Sequence, residues 1–143
     1  QRFRRPPNGA LVSAGGSSIY GLGAPPDTPQ GWPITIRSPT NPRETAARVT
    51  LRNMSLSTSG SYEKFFRANG RLYAHIMDPR TGAPAEGAVL VSVVAPATIE
   101  SEVWTKPYFI NGREWTATHQ PKTFRVFYCD SQTPPVCGWI NRR

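Results

Sequence analysis

Hydrophobic and polar residues in this chain alternate more often than they recur at a helical spacing, which predicts short strands joined by turns. Residues 9–14, Gly-Ala-Leu-Val-Ser-Ala, read as a strand that runs into Gly15-Gly16-Ser17-Ser18, with Ile19 to Gly23 beyond. Paired glycines there permit either a bulge that bends a sheet or a close approach of backbone to a ligand. Residues 24–33 hold four prolines and read as a surface loop. Trp32 to Arg37 alternates with Ile34 and Ile36 on one face. Arg48 to Leu56 alternates again, with Val49, Leu51 and Leu56 inward, and delivers the chain to a hydroxyl-rich turn at Ser57-Thr58-Ser59-Gly60. Gly60 to Phe66 reads as a turn of helix or as strand, with strand favoured and Tyr62 and Phe65 in the core. The turn Ala68-Asn69-Gly70 then leads into a strand from Arg71 to Met77. That strand stops at Asp78-Pro79, because proline drives the residue before it out of the helical region.

Ala88 to Ala95 is the longest apolar run, and Val89 to Ala95 within it is the most strand-like stretch. Pro96-Ala97-Thr98 predicts a helix entry with Thr98 as cap, and Glu100 and Glu102 follow where the helix dipole favours negative charge. The helix is expected to be short, since continuing through Pro107 costs about 3 kcal/mol. Thr123 to Cys129 and Val136 to Ile140 read as a closing hairpin. The sum is an α+β domain, a mainly antiparallel sheet with one or two short helices.

A chain of 143 residues suits one domain with a single core, and 15 Pro with 12 Gly make it rich in loops. Five positive charges of the net +8 sit at the ends, on Arg2, Arg4, Arg5, Arg142 and Arg143, so the interior is nearly balanced. The first eight residues read as a basic leader. Terminal arginines can reach anionic lipid, an acidic partner or nucleic acid, yet solvated ends account for them, and no nucleic-acid partner is expected. No apolar run approaches the roughly 20 residues of a membrane helix. The chain opens on Gln1, with no apolar stretch after its basic residues, as a processed or partial chain does. Cys129 and Cys137 flank a Pro-Pro turn, where a disulfide is sterically reasonable in an oxidising compartment. Two cysteines without nearby histidine do not make a structural zinc site.

The chemistry-bearing residues cluster between Ser57 and Gly82. His75 can accept the proton of an attacking hydroxyl or water, since imidazole titrates near neutrality. Asp78 can either orient the His75 ring or cap its own loop through backbone amides. Arg80, Thr81 and Gly82 offer a charge, a hydroxyl and an approachable amide for phosphate. Ser57, Thr58 and Ser59 offer further hydroxyls, which either bond phosphate or satisfy one another. His119, after Thr116 to Thr118, reads as exposed in a loop with nothing around it.

Three ordered motifs carry a resemblance: Gly-Ala-Leu-Val-Ser-Ala-Gly-Gly (residues 9–16), Ser-Thr-Ser-Gly-Ser-Tyr-Glu (57–63) and His75-Ile-Met-Asp78-Pro-Arg-Thr-Gly82. Their order and spacing are similar to those of the ApbE-type flavin transferases, from about Gly9 to about Gly112. The resemblance implies an ApbE-like C-terminal half, FAD as substrate, magnesium, and transfer of the FMN half to a Thr or Ser of an acceptor protein. By the same token His75 and Asp78 are catalytic candidates, and Gly15, Gly16, Ser57 to Gly60 and Arg80 to Gly82 are flavin-diphosphate binders. In the family, Asp often follows the glycine pair; Ser17 stands there. The family's metal residues, a helical Asp and a Thr four positions on, match Glu102 and Lys106. That leaves Glu102 and Thr105 as the metal candidates, Thr105 lying about 100° around the helix from position 106. The alternative is an exposed ion pair of Glu102 with Lys106.

Family members also carry an N-terminal half with a Gly-Gly-Ile-x-Lys-Gly-type motif, which residues 1–143 lack. The chain is thus expected to be a fragment or a reduced relative. Its function is then FMN transfer, a non-catalytic subunit or scaffold of a redox assembly, or a flavin-binding or FAD-hydrolysing module. A periplasmic or exported address, with membrane association, is implied by the resemblance.

Overall fold

One antiparallel sheet takes the alternating residues on its two faces, and a hairpin and a helix cover those faces. The structure is a computed structural model that describes residues 9–61, 65–68 and 71–141. The basic leader, Tyr62, the side chain of Phe65 and the Asn69-Gly70 turn lie outside the described residues. In chain order the elements are β1 (Gly9–Ala14), β2 (Ser18–Gly23), β3 (Trp32–Arg37), β4 (Thr45–Leu51), β5 (Met54–Gly60), β6 (Phe65–Ala68) and β7 (Arg71–Ala74). Then follow β8 (Met77–Asp78), β9 (Ala83–Pro84), β10 (Ala88–Ala95), α1 (Thr98–His119), β11 (Arg125–Asp130) and β12 (Cys137–Trp139). Six strands form the main sheet in the order β1-β2-β5-β10-β11-β12, while β3-β4, β6-β7 and β8-β9 are separate hairpins.

Side chains alternate across a strand, so each central strand serves two cores. From β10, Leu90 and Val94 join Leu56, Phe127 and the hairpin residues Ile34, Ile36, Val49 and Leu51 on one face. Val91, Val93 and Ala95 turn to the other face, against Tyr108 and Phe109 of α1. The α+β expectation therefore holds.

Several boundaries differ from those read in the sequence. The expected strand from Arg48 to Leu56 is two strands, split at Arg52-Asn53, where Asn53 adopts φ +53°. Ser57 to Gly60 is not a turn but the second half of β5, paired with β10 from Ser59↔Val91 to Leu56↔Val94. The strand expected to run to Met77 breaks at His75, because Ile76 is drawn into the helix-side core. Gly15 and Gly16 form the β1–β2 turn, with φ +62° and +78°. A Cβ on either would meet nothing within 4 Å, so the backbone conformation and not close packing calls for glycine there.

The helix departs most. Its cap is Ala97, whose amide donates to Glu100 Oε2 at 3.0 Å, and Thr98 is already helical. It also runs through Pro107 and breaks only at Gly112, where φ is +86°. Pro107 cannot donate to the carbonyl of Val103, but that turn faces water, Val103 being 53% exposed. Tyr108 and Phe109, just beyond, are fully buried. Burial of Phe109, worth about 1.5–3 kcal/mol, and of the Tyr108 ring, whose hydroxyl has no partner among the described residues, offsets much of a proline penalty of about 3 kcal/mol. His119 ends this helix instead of lying in a loop. It is exposed, as expected, but stacks on Trp115 with centroids 4.1 Å apart. Cys129 and Cys137 sit opposite each other on β11 and β12 and are disulfide-bonded. No helix among the described residues is long and apolar enough to cross a membrane.

Candidate functional site

Between the sheet and α1 lies a seam of hydroxyls in place of an apolar core. β5 presents every second residue to the helix: Ser55, Ser57 and Ser59, all buried. Opposite them α1 presents Ser101 and Thr105, one helical turn apart. Ser55 Oγ and Ser57 Oγ each lie 2.8 Å from Ser101 Oγ, and Ser59 donates to Thr105 Oγ1 at 2.9 Å. Ser101 and Thr105 in turn donate to helix carbonyls, those of Thr98 and Glu102. Buried polar atoms have to be partnered, and here they partner one another. Ser101→Ala takes one partner each from Ser55 and Ser57, which keep the Ile19 carbonyl and Ser18 Oγ, and is expected to destabilise by about 0.5–1.5 kcal/mol in urea unfolding. A loss below about 0.5 kcal/mol would show that the seam is not cooperative.

The seam reaches the surface at Glu102, where the cleft begins. Ser18 donates to Glu102 Oε2 at 2.5 Å, and Lys106 pairs with Oε1 and donates to the Glu102 carbonyl at 3.1 Å. Burial pushes the Glu102 carboxyl up, but hydrogen bonds from Lys106 and Ser18, with the Lys106 charge, outweigh it and hold the group below the usual carboxylate range. The pair is therefore intact above the ordinary carboxylate pKa and is lost only as pH falls through the lowered one.

A cleft of about 600 Å³ is walled by Gly15 and Ser17 of the β1–β2 turn, Thr58 to Gly60 of β5, the His75–Pro79 segment, and Glu102, Lys106 and Ile110 of α1. Three expected residues from three distant parts of the chain, Thr58, His75 and Glu102, thus share one cavity. His75 is exposed at its wall. It is held there by its neighbour Ile76, buried in the core and accepting at its carbonyl from Ala85 N at 2.8 Å. The Ser17 carbonyl accepts from Thr58 N at 2.8 Å, which ties the glycine turn to β5. A second cleft of about 400 Å³, on the hairpin side of the sheet, shares Gly15, Ser17, Thr58 and Gly60 and adds Gly16. It holds neither His75 nor Glu102.

The remaining candidates are occupied elsewhere. Asp78 caps its own turn: Oδ1 accepts from Arg80 N at 2.9 Å, and its carbonyl accepts from Gly82 N at 2.9 Å. The Arg80 guanidinium grips the same carboxylate, Nη2 to Oδ2 at 2.8 Å, and reaches Asn111 Oδ1 at 3.1 Å. Hydrogen bonds from the Arg80 side chain and amide hold the Asp78 carboxyl below the usual range. Thr81 Oγ1 accepts from Ala83 N at 3.2 Å. Arg80, Thr81 and Gly82 do not line the cleft, the Ser57 hydroxyl points into the seam, and Gly16 lines the hairpin-side cleft. Of the expected diphosphate binders Gly15, Thr58, Ser59 and Gly60 remain on the wall of the His75 cleft, with the Thr58 hydroxyl 2.8 Å from Ser92 Oγ and the Ser59 hydroxyl bonded to Thr105.

The divalent cation implied by the resemblance does not fit the residues present. Hard cations take several oxygen ligands. The Thr105 hydroxyl is fully buried and bonded to Ser59, and Glu102 already carries an ammonium. Among the described residues no group of three His, Cys, Asp or Glu is placed to hold a metal. Sequence reasoning missed Ser18 and Ser101. The signal for Ser101 was available in its i,i+4 spacing to Thr105 opposite the alternate serines of β5, whereas nothing local marks Ser18.

Known proteins share the sequence pattern and the fold of this chain. The profile of the ApbE family matches residues 5–126. The chain is 36% identical over 108 residues to a FAD:protein FMN transferase of Salmonella typhimurium, covering 73% of this chain and 30% of that protein. With its Escherichia coli K12 counterpart it is 34% identical over 111 residues, with the same coverage. The chain thus spans about 30% of the length of these curated relatives. A crystal structure of the Pseudomonas stutzeri flavinyl transferase ApbE, in apo form, superposes with TM-score 0.71 at 26% identity, covering 92% of this chain and 41% of that one. The Thermotoga maritima ApbE protein shares the fold, with TM-score 0.79 at 22% identity, covering 91% of this chain and 42% of that one.

Proposed function

This chain belongs to the ApbE family, and on that footing we propose that it supplies one wall of the active cleft of an FAD:protein FMN transferase. The observation that carries the reading is the meeting of His75, Thr58 and Glu102 in one cleft beside a glycine turn. Breaking a diphosphate needs its oxygens held and a hydroxyl positioned in line, so placement and electrostatics do most of the work. The Gly15 to Ser17 turn and the Thr58 to Gly60 strand end form the wall against which the diphosphate lies. His75 takes the proton of the acceptor Thr or Ser hydroxyl as its oxygen attacks the FMN phosphorus. A new P–O bond forms, and the bond to the AMP phosphate breaks, AMP leaving with the electron pair.

The acceptor is a protein carrying a Thr or Ser, or a subunit of a redox assembly. The rival reading, a non-catalytic ApbE-like subunit, has one observation behind it: Lys106 already sits on the carboxylate of Glu102. Titrating FAD into the full-length native protein, followed by flavin fluorescence and AMP release, separates the two. Saturable binding with AMP release that depends on an added acceptor supports transfer. Acceptor-independent AMP release makes the protein a hydrolase, and absence of flavin binding leaves only the subunit.

A further inference from the structure

Lys106 projects from α1 into the same cleft as His75 and Thr58. Its ammonium has three protons to donate. The Glu102 carbonyl and Oε1 take two, and among the described residues no other acceptor is bonded to it. The side chain is 45% exposed, so the third donor can meet a ligand oxygen in the cleft. Its aliphatic stem leaves one helical turn after Glu102, which fixes the charge at a built position instead of letting it wander in solvent. Ser18 holds the other carboxylate oxygen, so Glu102 itself is fixed from two sides.

From this placement, and resting on the cleft assignment made under the proposed function, we propose that Lys106 takes the place of a divalent cation on Glu102. The cleft accordingly takes its diphosphate ligand without a metal ion. A divalent ion could reach Glu102 only by displacing the ammonium, and the two charges repel at contact distance. The exchange is not neutral for the ligand. Glu102 with Lys106 carries no net charge, whereas a carboxylate with a divalent ion carries one positive charge, so a charge-assisted hydrogen bond replaces ion coordination.

The test uses the full-length native protein and three Lys106 states. Wild type is expected to bind FAD equally, within about twofold, in EDTA and in millimolar Mg²⁺, and to leave the electron paramagnetic resonance signal of added Mn²⁺ unchanged. Lys106→Thr restores an oxygen donor and removes the charge. It is expected to lose about tenfold or more in FAD affinity in EDTA, to regain it with Mg²⁺, and to bind Mn²⁺. Lys106→Arg keeps the charge and is expected to stay indifferent to metal. Position 106 is on the helix surface, so all three forms should fold, with circular dichroism as the check. Tighter FAD binding by wild type with Mg²⁺, Mn²⁺ binding by wild type, or full FAD affinity of Lys106→Thr in EDTA each overturns the proposal. Failure of wild type to bind FAD under any condition instead sinks the cleft assignment. The Mn²⁺ arm then still decides whether Lys106 excludes a cation: gain by Lys106→Thr alone supports it, and no gain overturns it.

Discussion

Replacing His75 with Ala in the full-length protein is expected to lower FMN transfer by about two to four orders of magnitude, the usual worth of a positioned general base. FAD affinity should change by no more than a few-fold, because the role proposed for the imidazole is toward the attacking hydroxyl and not the bulk of the flavin. The split follows from how His75 is held. Its neighbour Ile76 is buried, with a carbonyl bonded to Ala85 N, while His75 itself is exposed on the cleft wall. The backbone should therefore survive the substitution, and the loss should lie in turnover. AMP release in the presence of acceptor measures it directly. A His75→Ala protein that transfers FMN at the native rate would remove the imidazole from the reaction, whatever else the cleft does.

The second large effect belongs to stability. Phe109→Ala is expected to cost about 3–5 kcal/mol, as truncation of a fully buried aromatic does when its surroundings relax only in part. Against a typical total of about 5–15 kcal/mol that is a large share. The position is telling because it follows Pro107 by two residues. If aromatic burial holds the helix past the proline, Phe109→Ala should lower helical circular dichroism as well as the urea midpoint. A loss near 1 kcal/mol with unchanged helicity would mean that something other than packing carries the helix through Pro107.

Both effects bear on the cleft, since α1 provides one of its walls. Glu102 and Lys106 lie before the proline and Ile110 after it. A helix ending at Pro107 would leave Ile110 without an element to place it. The sheet-facing side of the helix is polar through Ser101 and Thr105, then aromatic at Tyr108 and Phe109. The polar seam positions the cleft residues, and the aromatic end anchors them.

Alternation by itself determined the strands Gly9–Ala14 and Trp32–Arg37, all but the first residue of Ala88–Ala95, and the terminal hairpin with its facing cysteines, while three ordered motifs carried the resemblance to the family. These are local properties: period-two alternation needs no knowledge of what lies opposite. The tertiary structure alone decided the fate of the hydroxyls and of Pro107. Ser57 and Ser59 can bond a phosphate, their own backbone or a facing helix with equal local signal, and the partners that won, Ser101 and Thr105, lie 44 and 46 residues away. In the same way a proline penalty is legible in one residue, whereas the burial that offsets much of it depends on a sheet assembled from the other ends of the chain. Long-range pairing also settled that Arg80 reaches Asn111 and that Glu102 meets Ser18, whereas the Arg80–Asp78 and Glu102–Lys106 pairs are local, because distant partners are reached only where the fold brings them together.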